Sequence, residues 1–183
     1  MRSLAGNLLV ASPRLPDENF SRSVVLIIHH DEQGALGVVL NRPTDSTVRE
    51  VWESLSDEPC DSDEPIHLGG PVSGPLMALH TNEEWAESEV LPGVFFATHR
   101  DRLNQIVQAP EFLFRIYNGY SGWASGQLES ELKFGGWMVM PASFDFVFGE
   151  ADTMWQKAAQ EIGEQIISPL LNDVPLPDDP SCN

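Results

Sequence analysis

Residues 24–43 decide how this chain is read: Val24-Val25-Leu26-Ile27-Ile28-His29-His30-Asp31-Glu32-Gln33-Gly34-Ala35-Leu36-Gly37-Val38-Val39-Leu40-Asn41-Arg42-Pro43. Val24 to Ile28 is an unbroken apolar run rich in β-branched residues, which suits a strand covered on both faces. A polar turn ending in Gly34 follows, then a second apolar run from Ala35 to Leu40, closed by Asn41-Arg42-Pro43. Two such runs across such a turn read as a hairpin near the centre of a sheet.

Leu8-Leu9-Val10-Ala11 is a third central strand. The Pro-bound segment from Pro13 to Phe20 that joins it to Val24 has room for one helical turn at most. Downstream, Thr47 and Glu50 form a capping-box pair ahead of Val48, Val51, Trp52 and Leu55 at helical spacing. Residues 57–65 read as an acidic surface loop. Ile66–Leu68, Leu76–His80, Val94–Ala97, Phe112–Tyr117, Trp137–Met140 and Phe144–Phe148 read as strands, and Leu103, Ile106 and Val107 as one helix face. Gly119 to Gly126 reads as a glycine-rich loop entering a helix at Gln127, and Asp152 as the cap of a helix lined by Trp155, Ala159, Ile162 and Ile166. Many strands, few helices and more hairpin turns than crossovers predict an α+β domain: one mixed, largely antiparallel, twisted sheet flanked by helices. A single domain is expected over residues 1–173, followed by an acidic, Pro-rich disordered tail over 174–183.

The chain has 183 residues, with 10 Lys and Arg against 28 Asp and Glu, a formal charge of −18. That balance repels phosphate backbones and argues against direct nucleic-acid binding. The first 49 residues are neutral, so an anionic ligand is easiest to place there. Cys60 and Cys182 have neither disulfide nor zinc spacing, no stretch is long and apolar enough to span a membrane, and no secretory signal pattern opens the sequence. A cytoplasmic protein is the expectation.

The common nucleotide, metalloprotease and Cys-x-x-Cys motifs are missing, so no cofactor and no metal are expected. Neither Gly119-Tyr120-Ser121-Gly122-Trp123 nor Pro71-Val72-Ser73-Gly74 has the spacing of a nucleophile elbow. His29-His30-Asp31-Glu32 offers four potential ligands, yet adjacent strand residues face opposite ways, and a polar hairpin turn is the simpler reading. His80, at the end of an apolar strand, could act as a general base with Asp17 or Glu129 as partner and Ser121 or a water as nucleophile. A hydrogen-bonded histidine at the core edge is the alternative. Arg42, joined by Arg14 and Arg22, could grip a carboxylate or phosphate, or could merely pair with Asp17 or Asp45 and lock the loops. Trp123, Trp137 and Trp155 read as core anchors.

Leu8–Pro13 with Leu15, Asp17, Phe20 and Ser23–Val25, then Gly34–Pro43, Gly69-Gly70-Pro71-Val72, Gly119–Trp123 and Gly126-Gln127-Leu128-Glu129 resemble the AlgH/YqgE-like bacterial family, over about residues 4–165. Ser121 stands where that family usually has Ala, and Phe134-Gly135-Gly136 replaces a shorter polar join. The resemblance implies a cytoplasmic single-domain protein with a mixed sheet and supplies no activity. Some members are described as transcriptional regulators, which this acidic chain, with no helix-turn-helix pattern, does not suggest for itself.

Two functions follow as expectations. The first is a binding or regulatory module whose motif loops hold a small anionic ligand or a protein partner in a crevice lined by Arg14, Asp17, Asn41, Arg42, Gly69, Gly70, Gly119, Tyr120, Gly122 and Gln127. The second is an unrecognised hydrolase or transferase built on His80, Ser121 and Glu129. Nothing in the sequence sets the oligomeric state.

Overall fold

The computed structural model describes residues 3–15, 17–55 and 60–172, the side chains of 167–172 excepted. The expected tail over 174–183 and Cys182 lie outside the described residues. In chain order the elements are β1 (Asn7–Ala11), β2 (Val24–Asp31), β3 (Gly34–Val39), β4 (Pro43–Thr47), α1 (Val48–Leu55), β5 (Pro65–Leu68), β6 (Val72–His80), β7 (Ser88–Leu91) and β8 (Val94–Ala97). Then come α2 (Arg100–Val107), β9 (Phe114–Ala124), α3 (Gln127–Lys133), β10 (Trp137–Pro141), α4 (Phe144–Val147) and α5 (Ala151–Asn172).

The expected hairpin is β2 and β3, paired antiparallel from Val25 opposite Val39 to Asp31 opposite Gly34. The sheet runs β10-β1-β2-β3-β9-β6-β8-β7, with β4 on β5 and β5 parallel to β9. The fold is thus the α+β class expected, with one parallel pairing in an antiparallel sheet. It curls on itself: a Cβ on Gly6, just before β1, would stand 2.8 Å from the carbonyl oxygen of Val90 in β7.

Both faces of β1–β3 are buried, which explains their unbroken apolar runs. Leu8, Val10, Val24, Leu26, Val38 and Leu40 pack with Tyr117 against Met154, Ala158 and Ile162 of α5. Leu9, Val25, Ile27 and Val39 face the other way, onto Trp123, Leu128 and Trp137. A third cluster joins Val48 and Trp52 of α1 to Leu103 and Ile106 of α2 and Ile116 of β9.

Three sequence expectations need correction. Gly119–Gly126 is not a loop: β9 runs from Phe114 to Ala124 without a break. Gly119, at φ +73°, shifts the pleat, so that Tyr117 and Tyr120 both pack on the α5 core although strict alternation would put residues three apart on opposite faces. Phe144–Val147 is a helical turn rather than a strand, because the Ser143 side chain accepts the Phe146 N–H and starts it. On α5 the buried stripe is Met154, Ala158 and Ile162, while Ile166 is 62% exposed. The patterns at Pro43–Thr47 and Ser88–Leu91 gave no strand signal, being polar and largely exposed.

The Thr47 capping box is formed, with Thr47 N–H on Glu50 Oε2 at 3.0 Å and Glu50 N–H on Thr47 Oγ1 at 3.3 Å. Among the described residues no helix is long and apolar enough to cross a membrane.

Candidate functional site: an arginine corner

The end of β1, the start of β2 and the end of β3 meet at one corner of the sheet, where the segment from Ser12 to Ser23 folds over. Asp17 accepts the Asn19 N–H at 2.8 Å and starts the single 3₁₀ turn Glu18–Phe20. Asn41 holds the far side of the segment: its Oδ1 accepts the Val24 N–H at 2.9 Å, and its Nδ2 donates to the Arg22 carbonyl at 2.9 Å. Between these anchors Arg22 sits at φ +53°, the one non-glycine residue with left-handed backbone among those described. For a side chain without a local hydrogen bond that conformation costs about 1–2 kcal/mol, and such outliers gather at ligand sites.

Arg22 lies over the Trp155 ring, 5.8 Å from its centroid, and the Trp155 indole donates to the Ala11 carbonyl at 2.8 Å. Arg42 Nη2 donates to the Ser21 carbonyl at 3.3 Å. Arg14 is exposed, its backbone N–H on Ser12 Oγ at 3.2 Å. The expected pairing of Arg42 with Asp17 or Asp45 is not formed. The described ion pairs are His29–Asp31, His30–Glu129, Arg49–Asp63 and His99–Glu87, and none involves Arg14, Arg22 or Arg42.

The glycine motifs are joined to this corner by main chain. Arg42 C=O accepts the Leu68 N–H at 2.8 Å, Val39 N–H donates to Gly69 C=O at 2.8 Å, and Gly69 N–H donates to Asn118 C=O at 2.9 Å. The buried Ser121 hydroxyl also donates to Gly69 C=O, at 3.1 Å. A Cβ on Gly69 would overlap the Gly119 carbonyl oxygen, and one on Gly70 would overlap the Tyr120 carbonyl. These glycines let two backbones touch, and the Gly69 amide is already committed. The Tyr120 ring covers Gly74 and Gly122, 3.0 and 3.2 Å from where their Cβ atoms would be. Gln127 ties α3 to β9, accepting the Ala124 N–H at 3.1 Å and donating to Glu131 at 2.9 Å. The motif segments are therefore joined, with Arg22 and Arg42 anchored at the corner through Asn41 and Ser21 and the glycines in a close-packed seam.

The catalytic candidates do not meet. His80 pairs with Phe114 at one end of β9 and Ser121 lies near the other; at about 3.3 Å per residue they stand roughly 20 Å apart. Glu129 bonds His30 Nε2 at 2.9 Å, and His30 Nδ1 accepts the Leu4 N–H at 3.0 Å, so the ring is a tether between the N-terminal segment and α3. His80 is fully buried, and neither ring nitrogen has a hydrogen-bond partner. Burial lowers its pKa to about 4, although the Asn82 backbone and the Glu87 carboxylate pull the other way, so it is neutral at pH 7. Among the described residues no cluster of three His, Cys, Asp or Glu side chains could hold a metal ion.

Sequence reading missed two partners. Trp155 was expected only as a core anchor, yet it is half-buried beneath Arg22. Glu131 accepts the indole N–H groups of both Trp123, at 2.9 Å, and Trp137, at 2.7 Å. The signal for Glu131 was available, since a carboxylate one helical turn beyond Gln127 faces the same way.

A curled mixed sheet, welded by a glycine seam between its two halves and flanked by helices, defines an α+β domain. A family model described as AlgH-like matches residues 8–167, and the chain belongs to that family. It is 36% identical over 169 residues to a UPF0301 protein of Chlorobium luteolum, covering 88% of this chain and 87% of the relative. A UPF0301 protein of Myxococcus xanthus is 36% identical over 168 residues, covering 89% and 93%. The solution structure of the AlgH protein from Pseudomonas aeruginosa is similar with a TM-score of 0.75 and 31% identity, over 96% of this chain and 99% of that one.

Proposed function

We propose that this protein is a binding module whose ligand is a small multivalent anion, a phosphate or a polycarboxylate, held at the corner between Arg22 and Arg42 with Arg14 at the rim. The observation that carries this reading is that Arg22 and Arg42, both anchored at one corner, make no ion pair in a chain with 28 carboxylates, and neither does the exposed Arg14. Guanidinium groups suit such a ligand because they stay charged and offer several donors in one plane. The strained Arg22 backbone, held by Asn41 and Trp155, supports it further, because it aims one of these groups at a fixed place before any ligand arrives.

Thermal unfolding with inorganic phosphate, pyrophosphate and citrate tests the reading. Pyrophosphate well above its Kd is expected to raise Tm by a few degrees. Arg42→Ala is expected to lose that rise while the unliganded Tm moves by no more than about 2 °C. No rise with any of the three anions, or a variant that unfolds early yet keeps the rise, contradicts it.

A further inference from the structure

The sheet has a second feature, independent of the anion corner. On one side β6 covers β9 from Phe114 to Tyr120. On the other, β3 covers Ser121–Ala124 and β5 reaches only Tyr117 and Asn118. Backbone direction alternates along a strand, and two bonds set the phase: Leu113 C=O accepts the Thr81 N–H on the β6 side, and Asn118 C=O accepts the Gly69 N–H on the β5 side. Phe114 therefore aims its backbone groups toward the β5 side, beyond the reach of β5, whose first residue Pro65 has no N–H to give. Phe112 N–H is taken by Ala109 C=O at 3.2 Å. Among the described residues both backbone groups of Phe114 are left on an open edge.

That edge forms one wall of a cleft of about 1110 Å³. Its apolar lining includes Phe112, Phe114, Phe148 and the 53%-exposed Leu113. Asp61, Asp63 and Glu64 also line it. Only Asp63 of these has a cation, Arg49 at 3.1 Å. Among the described residues lining the cleft the one cation, Arg115, donates to the carbonyls of Val147 and Gly149.

We propose that this cleft binds an extended segment of another protein in which basic and apolar residues alternate, added as a strand to the edge of β9 at Phe114. Main-chain bonds to Phe114 would supply register, and the apolar lining would take one face of the added strand. Basic side chains on the other face would meet the unpaired Asp61 and Glu64. A second copy of this chain is a poor occupant, since its residues after 49 hold 5 basic side chains against 23 acidic ones.

The test uses the full chain and a synthetic Lys-Val-Lys-Val-Lys-Val-Lys peptide. Expected are saturable one-to-one binding, slowed hydrogen exchange at the Phe114 amide, and affinity roughly tenfold weaker for the peptide with N-methylated valines. Asp61→Asn with Glu64→Gln is expected to weaken binding severalfold at low salt, with urea unfolding confirming that the variant is folded. Several results overturn the proposal: no saturable binding, equal affinity for the N-methylated or a glutamate-for-lysine peptide, or an unchanged Phe114 amide. So does Phe114 protection that appears with protein concentration alone, which would mean a second copy takes the edge.

Discussion

The guanidinium carbon of Arg22 lies 5.8 Å from the centroid of the Trp155 ring, with the Arg22 backbone at φ +53° and its carbonyl bonded to Asn41. Three elements far apart in sequence thus hold one cation in a left-handed conformation that most residues avoid. If the conformation serves a ligand, removing the side chain should relieve strain and remove function together.

Arg22→Gly separates those roles. Glycine adopts positive φ freely, so the variant is expected to unfold at an unchanged or higher urea midpoint, a gain of up to about 1 kcal/mol, while anion-induced stabilisation disappears. A loss of stability above about 1 kcal/mol would mean that the cation over Trp155 holds the corner together for its own sake.

Asn41→Ala should behave in the opposite way. It strips the Val24 N–H and the Arg22 C=O of their partners at once, and is expected to cost about 1–3 kcal/mol in urea unfolding with weaker anion binding alongside. Unchanged stability would contradict the anchoring role given to Asn41.

Glu131→Ala tests the far side of the sheet. Two largely buried indole N–H groups lose their acceptor, so a loss of about 2–4 kcal/mol is expected, with a change in tryptophan emission in the folded state. Glu131→Gln keeps one acceptor oxygen and should lose less.

Stability should depend on pH through His67 and His80. Burial lowers each to about 4, with the nearby Arg115 adding to the shift at His67. The unfolded chain titrates near 6.5, so between about pH 6.5 and 4 it binds protons that the folded chain refuses, and stability falls as pH drops through that window. The loss should be on the order of 2–3 kcal/mol for each histidine by pH 4. His80→Leu is expected to remove its share of that slope and to be neutral or stabilising at pH 7, because the ring it replaces has two unpartnered nitrogens. An unchanged slope in urea midpoints measured from pH 7 to 4 would contradict this.

The strands at the centre of the molecule were legible in the sequence because burial on both faces writes an unbroken apolar run, as at Val24–Ile28, and the Thr47–Glu50 cap was legible because it is local. What was hidden depends on distant chain. Gly119–Gly126 has the composition of a loop, yet Gly69 and Gly70 press against Gly119 and Tyr120 and make it a strand. The same holds for the corner. Arg14, Arg22 and Arg42 were visible as residues, but only the fold places Trp155 under Arg22 and leaves Asp17 and Asp45 unpaired with Arg42. The open edge of β9 had no sequence signal at all, since it arises where Pro65 ends a parallel pairing.

The most direct measurement is an NMR titration of the full chain with pyrophosphate, following the Nε–H resonances of Arg22 and Arg42 and the indole N–H of Trp155. Saturable shifts at these three groups, weakening as salt is raised and absent in Arg42→Ala, are expected. Shifts spread over other cations, or none at saturating pyrophosphate, would contradict an anion site at this corner.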